Sequence, residues 1–279
     1  MDGILVLSNG RSFRGRLRGA RKSTSGEVIF NTAMTGYQEI LTDPSYCGQI
    51  ITMTYPHIGN YGVNAEDAES RTSFAGGMIV KELSRVVSNW RADGSLDDYL
   101  NERGITVLEG VDTRALVIAL REHGALPGLI APAEGCDTEA LAKEAAALPG
   151  MEGRNLAREV SVTAPYHWED GRQSGQAFRV IAYDYGIKYN ILRSLARRNA
   201  AVEVVPYNFP VAETLARNPY GVFLSNGPGD PEPVREGVDT RALVISLRER
   251  GALPGLIAPA KCFATDALAN DAAARPGRA

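Results

Sequence analysis

One segment of this chain occurs twice. Glu109 to Ala133 reads EGVDTRALVIALREHGALPGLIAPA and Glu236 to Ala260 reads EGVDTRALVISLRERGALPGLIAPA, differing only at Ala119/Ser246 and His123/Arg250. Segments this alike share one set of packing preferences, so a fold with one place for such a segment holds one copy and leaves the other to find a different surface. A solenoid is excluded, because repeat arrays bury their faces by stacking several contiguous units. The first copy carries helix signals over Thr113 to Glu122: Asp112 suits the N-cap, Leu116 and Leu120 share a face, Gly124 suits the position after the last turn, and Pro127 prevents resumption. The matching helix of the second copy is Thr240 to Glu249, with Leu243, Ile245 and Leu247 as its apolar residues.

A chain of 279 residues that is 44% hydrophobic and 23% charged has material for about two domains, each with a core. The net charge is -3 and no run of Lys or Arg marks a polyanion footprint, so no nucleic-acid partner is expected. The opening MDGILVLSNG has no basic region followed by an apolar one, and no stretch approaches the roughly 18 apolar residues of a membrane span. The expectation is a cytoplasmic protein without membrane contact. Cys47, Cys136 and Cys262 are odd in number and lack metal-type spacing, which predicts free thiols and no metal site.

The pattern divides the chain into residues 1–150, a polar linker at 151–177, an α/β region at 178–234 and a tail at 235–279 that duplicates 108–150. The first region reads as a mixed α/β domain. Ile4 to Leu7 runs into Ser8-Asn9-Gly10, where Asn-Gly predicts a hairpin through a type I′ turn; further strands are expected at 27–30, 49–54 and 77–81. From Phe178 the pattern changes to apolar strands at 178–183, 201–205 and 221–224, separated by helical spacing at 190–198 and 212–217. Strands apolar on both faces and alternating with helices predict a parallel sheet covered on both sides, with ligands at the strands' carboxyl ends.

The third of those strands runs into Ser225-Asn226-Gly227-Pro228-Gly229-Asp230-Pro231. Gly227 and Gly229 permit close backbone approach, Pro228 stiffens the turn between them, and glycine N–H groups held this way suit an oxyanion hole. The same residues also make an ordinary tight turn.

The sequence resembles the small, glutamine-hydrolysing subunit of carbamoyl-phosphate synthetase over roughly residues 3–234. The resemblance is carried by GEVIFNTAMTGYQEILTDPSYCGQIITMTYPHIGNYGVN from Gly26, by VDTRALVIALREHGA, by VIAYDYGIKYNILRSL from Val180 and by FLSNGPGDP from Phe223. It implies a first domain that docks on the large synthetase subunit and a second that is a class I glutamine amidotransferase, supplying ammonia for carbamoyl phosphate in arginine and pyrimidine biosynthesis. It implies that Ser45, Gly227 and Gly229 contact L-glutamine, and that ATP and magnesium belong to the large subunit, leaving no cofactor in this chain. Asp43-Pro44-Ser45-Tyr46 is also a good local turn.

The resemblance breaks after the glycine loop. The family's nucleophile is a cysteine in a Gly-Ile-Cys-Leu-Gly-His-Gln elbow, followed by a histidine and a glutamate, and the duplicate stands in its place. A cysteine nucleophile needs a base and a group that orients the base. His57, His123 and His167 all precede the loop, and Cys262 lacks the flanking glycines of an elbow, so neither it nor Cys47 is expected to be catalytic. The chain therefore reads as a small subunit inactive as a glutaminase, with a docking module that has no catalytic role as the alternative; the duplicated tail reads either as a chimaeric or rearranged reading frame or as an assembly artefact, in which the end of an amidotransferase was overwritten.

Overall fold

The computed structural model describes residues 1–171, 175 and 178–235. The second copy of the duplicated segment and Cys262 lie outside these residues. Two compact units divide between Arg154 and Asn155. No helix among the described residues is long and apolar enough to cross a membrane.

The first unit is a mixed α/β barrel. Strands β1 (Asp2–Leu7) and β2 (Ser12–Gly19) form the expected hairpin, with Leu5 opposite Phe13 and Val6 opposite Ser12. Its turn differs from the expected one: Leu7 N–H donates to the Arg11 carbonyl and Gly10 N–H to the Leu7 carbonyl, both at 2.9 Å, and only Gly10 has a positive φ, 83°. This is the three-residue loop with glycine in the left-handed position. Asn9 instead accepts the Arg11 N–H through its side chain at 3.1 Å, the alternative use of a turn asparagine.

Next come β3 (Thr24–Asn31), helix α1 (Tyr37–Thr42), β4 (Gln49–Met53), the short strand β5 (His57–Ile58), β6 (Gly77–Val80), a second short strand β7 (Glu82–Leu83), α2 (Leu96–Glu102) and β8 (Thr106–Glu109). The first copy of the repeat then supplies α3 (Thr113–His123) and β9 (Leu126–Pro132), and α4 (Thr138–Ala146) follows. The strands close in the order β1-β2-β8-β6-β4-β3-β9, with β3, β4, β6 and β8 parallel and the remaining pairings antiparallel. Closure removes every sheet edge.

Period-two alternation sends successive side chains to opposite faces. Leu5, Leu17, Val28, Ile50, Ile79, Leu108 and Ile130, one from each strand, form the interior cluster, which Leu116 and Leu120 of α3 join. The alternate residues Ile51, Met78 and Val107 face outward into a second cluster with Tyr37, Leu41, Leu96 and Leu100 of α1 and α2. Helix α3 begins as expected, with the Asp112 carboxylate accepting the Ala115 N–H at 3.0 Å, and ends at Gly124, φ 82°. Strand β9 is interior to the barrel although Pro127 and Gly128 fall in it; a Cβ at position 128 would stand 2.7 Å from Val28 Cγ2, so the glycine is what lets β9 lie between β1 and β3.

The stretch read as a linker is partly structured. Residues 155–171 contain helix α5 (Ala157–Val160) and strand β10 (Tyr166–His167), whose two pairings with Val204 and Glu203 are too short to leave a sequence period. The second unit continues with β11 (Phe178–Asp184), α6 (Tyr189–Arg197), β12 (Ala200–Pro206), α7 (Val211–Ala216), β13 (Gly221–Leu224) and α8 (Glu232–Arg235). Its sheet runs β10-β12-β11-β13, parallel across β12, β11 and β13 and antiparallel at β10. Central β11 is buried on both faces: Ile181 and Tyr183 pack with Val205, Val222 and Leu224, while Val180 and Ala182 pack with Leu192 of α6. The continuous apolar run from Phe178 has this cause.

Candidate functional site

In the second unit β12 lies on one side of β11 and β13 on the other, so the chain reverses its winding direction at β11. Ligands of open α/β sheets bind at this switch, outside the carboxyl ends of the two strands. Here those ends are Asp184-Tyr185-Gly186 and the 225–231 loop.

Both loops are fixed by buried side chains. Asp184 Oδ1 accepts the N–H groups of Gly186 at 2.9 Å and Ile187 at 2.8 Å, and Oδ2 accepts that of Val162 at 2.9 Å. Ser225 Oγ accepts the Tyr185 N–H at 3.0 Å and donates to the Asn226 carbonyl at 2.8 Å. One hydroxyl thus ties the end of β11 to the end of β13. Beneath them Tyr183 reaches Thr214 Oγ1 at 2.7 Å and donates to the Phe209 carbonyl at 3.2 Å, anchoring α7. Its burial raises the phenol's pKa, so this group holds position without titrating near neutrality.

The two glycines of the loop have different reasons to be glycine. At Gly227 a Cβ would collide with the Tyr185 carbonyl oxygen. At Gly229 the backbone is left-handed, φ 68°, and a Cβ would stand 2.9 Å from Leu156 Cδ1. Pro228 between them is buried, while both glycines are exposed. Among the described residues neither glycine N–H meets an acceptor. Two exposed donors on a backbone that cannot easily move are what an anionic or carbonyl oxygen requires.

The other candidates fall elsewhere. Ser45 lies in a short 3₁₀ turn, Pro44–Tyr46, capped by Asp43, whose Oδ1 accepts the Ser45 N–H at 2.9 Å. Cys47 is buried, with its N–H donating to the Pro44 carbonyl at 3.0 Å. His57 Nδ1 is 3.9 Å from Glu82, and His123 Nδ1 is 3.0 Å from the Ala119 carbonyl at the end of α3. His167 is on β10, at the opposite edge of the sheet from β13. No histidine among the described residues is part of either strand-end loop. Sequence reasoning passed over Asp184 and Ser225; an aspartate closing an apolar strand ahead of a glycine was the available signal.

The first unit matches the model of the carbamoyl-phosphate synthase small chain, CPSase domain, over residues 5–130, and the second matches glutamine amidotransferase class-I over 181–249. The carbamoyl phosphate synthase small chain of Pseudomonas aeruginosa is 46% identical over 263 residues, covering 88% of this chain and 70% of that protein. This chain belongs to the carbamoyl phosphate synthase small-chain family. The small chain of Syntrophotalea carbinolica is 51% identical over 245 residues, 84% of this chain and 65% of its own, and that of Neisseria gonorrhoeae is 49% identical over 245 residues, 85% and 65%. The chain thus spans about two thirds of the length of these small chains. Within the family's two-part plan, the barrel is the synthase-specific part and the switch-point loops belong to the amidotransferase part.

Proposed function

We propose that this chain acts as a small chain of carbamoyl phosphate synthase that binds L-glutamine at the 225–231 loop and docks on the large synthetase chain, without hydrolysing glutamine at the family's rate. The observation that carries the reading is the pair of exposed glycines, Gly227 and Gly229, whose N–H groups meet no acceptor among the described residues, at the topological switch of a parallel sheet. They would receive a substrate oxygen. In the family the product ammonia feeds carbamoyl phosphate synthesis for arginine and pyrimidines, with ATP and magnesium bound by the large chain.

Turnover needs a nucleophile with a base beside it. After the loop the duplicate stands where the family resemblance places the Gly-Ile-Cys-Leu-Gly-His-Gln elbow, and the histidine among the described residues of that unit lies at the far sheet edge. Losing a nucleophile and base that act together removes several orders of magnitude in rate. A docking module with no catalytic role is the second reading, favoured by the duplicate standing where the nucleophile elbow would be.

Calorimetric titration with L-glutamine and an ammonia-release assay on the same full chain test the proposal. Binding at millimolar glutamine, lost in Gly227→Ala, with ammonia release near background is expected. Absence of binding would leave only the docking reading, and normal turnover abolished by Cys262→Ala would make Cys262 the nucleophile.

A further inference from the structure

A trans peptide unit points its C=O and its N–H in opposite directions, so whatever fixes one fixes the other. The N–H of Gly227 belongs to the same unit as the carbonyl of Asn226, and that carbonyl accepts from Ser225 Oγ at 2.8 Å. The partners leave one arrangement of the hydroxyl. Tyr185 N–H, 3.0 Å from Ser225 Oγ, can only donate and the Asn226 carbonyl can only accept, so the Ser225 proton lies toward Asn226. Ser225 is 1% exposed, which keeps water from competing for either bond.

Gly227 is what makes such a constraint necessary. The position excludes a side chain, since a Cβ would collide with the Tyr185 carbonyl oxygen. Glycine in turn lets the peptide unit before it rotate, which would turn the N–H toward the sheet and the carbonyl toward solvent. An outward carbonyl repels the same oxygen that an outward N–H would hold. The run of hydrogen bonds from Tyr185 through Ser225 to Asn226 opposes that rotation. It also strengthens the donor, because a carbonyl that already accepts a hydrogen bond polarises the N–H of its own peptide unit.

We infer that Ser225 is a positioning residue, whose hydroxyl aims the Gly227 N–H at the substrate oxygen and thereby sets the affinity of the 225–231 loop for L-glutamine. This rests on the glutamine-binding part of the function proposed above.

Two measurements on the isotope-labelled full chain test this in the natural protein, Ser225→Ala and Ser225→Thr. One is the residual dipolar coupling of the Gly227 N–H, which reports its direction, read against the couplings of Val222 and Leu224 on β13. The other is L-glutamine affinity by titration. Ser225→Ala should move the Gly227 coupling while the strand couplings stay, and should weaken L-glutamine by about tenfold, the scale of one hydrogen bond. Ser225→Thr, which keeps the hydroxyl, should hold both near their natural values. A role in stability alone lowers the unfolding midpoint without turning the Gly227 N–H, so the coupling separates the two. Should Ser225→Ala not fold, Ser225→Cys, near in shape but a weak donor, takes its place with the same outcomes. An unchanged Gly227 coupling overturns the inference and leaves glutamine binding intact. So does a turned Gly227 N–H with L-glutamine affinity altered less than about twofold. A natural chain that binds no L-glutamine removes the glutamine reading and the inference together.

Discussion

The Tyr185 N–H donates to Ser225 Oγ at 3.0 Å, joining the ends of two parallel strands through one buried hydroxyl. Ser225→Ala removes that acceptor from a buried N–H, at a cost of about 1–3 kcal/mol. The expected outcome is a lower denaturation midpoint for the second unit and faster hydrogen exchange at Tyr185. Ser225→Thr, which keeps the hydroxyl, should retain most of the exchange protection. Unchanged Tyr185 exchange in Ser225→Ala would show that the two loops are fixed by other means.

The two loop glycines should fail differently. Gly227→Ala drives a methyl into the Tyr185 carbonyl and forces the two loops apart, an overpacking loss of about 1–3 kcal/mol. Gly229→Ala puts a side chain on a left-handed backbone, about 1–2 kcal/mol, with Leu156 nearest to it. Denaturation of both variants should show losses in these ranges, and glutamine titration should show the greater weakening in Gly227→Ala, because only that change displaces the donor pair. Equal glutamine affinity in both variants and the natural chain would remove the loop from the binding site.

Legibility of the fold followed the length of each signal. The helix from Thr113 was readable because cap, apolar face and stop agree, and the strands of the second unit because a central parallel strand is apolar on both faces. Barrel closure was not readable: it depends on pairings between distant strands, and β9 hides behind Pro127 and Gly128, residues that normally end a strand. The glycine loop was visible as Gly-Pro-Gly. The hydroxyl and carboxylate that hold it, Ser225 and Asp184, act only on neighbours brought close by the sheet, which no local pattern records.

A carboxylate in the barrel gives a pH signature. Glu109 accepts from Arg18 Nε at 2.8 Å and from the Leu83 N–H at 3.2 Å. Burial alone would raise its pKa, but these bonds and the nearby arginine charges lower it below the ordinary carboxylate value. A group whose folded pKa is depressed stabilises the fold above its unfolded pKa and loses that contribution as pH falls through the folded value. This contribution should therefore hold from neutral pH down to about pH 5 and be lost below. Glu109→Gln should cost about 2 kcal/mol at neutral pH and flatten the acid limb, read from denaturation curves at several pH values. An acid limb identical in the variant would assign the pH dependence to other groups.

The repeat makes the last prediction, because its two copies differ at a position the barrel buries. Ala119 is fully buried on α3, and the second copy carries Ser246 there. Ala119→Ser buries a hydroxyl whose best partner is the carbonyl one turn back, Ala115, so the loss should be about 1 kcal/mol. Leu116 packs in the barrel interior, where a carboxylate would have no partner, so Leu116→Asp should cost several kcal/mol or prevent folding of the first unit. The equivalent change in the second copy, Leu243→Asp, should leave the barrel's unfolding transition in place, since the slot between β1 and β3 already holds the first copy. Calorimetry on the three full-length variants separates the cases. A barrel transition lowered as much by Leu243→Asp as by Leu116→Asp would mean that both copies contribute to that core, and that the second is part of the protein's working structure.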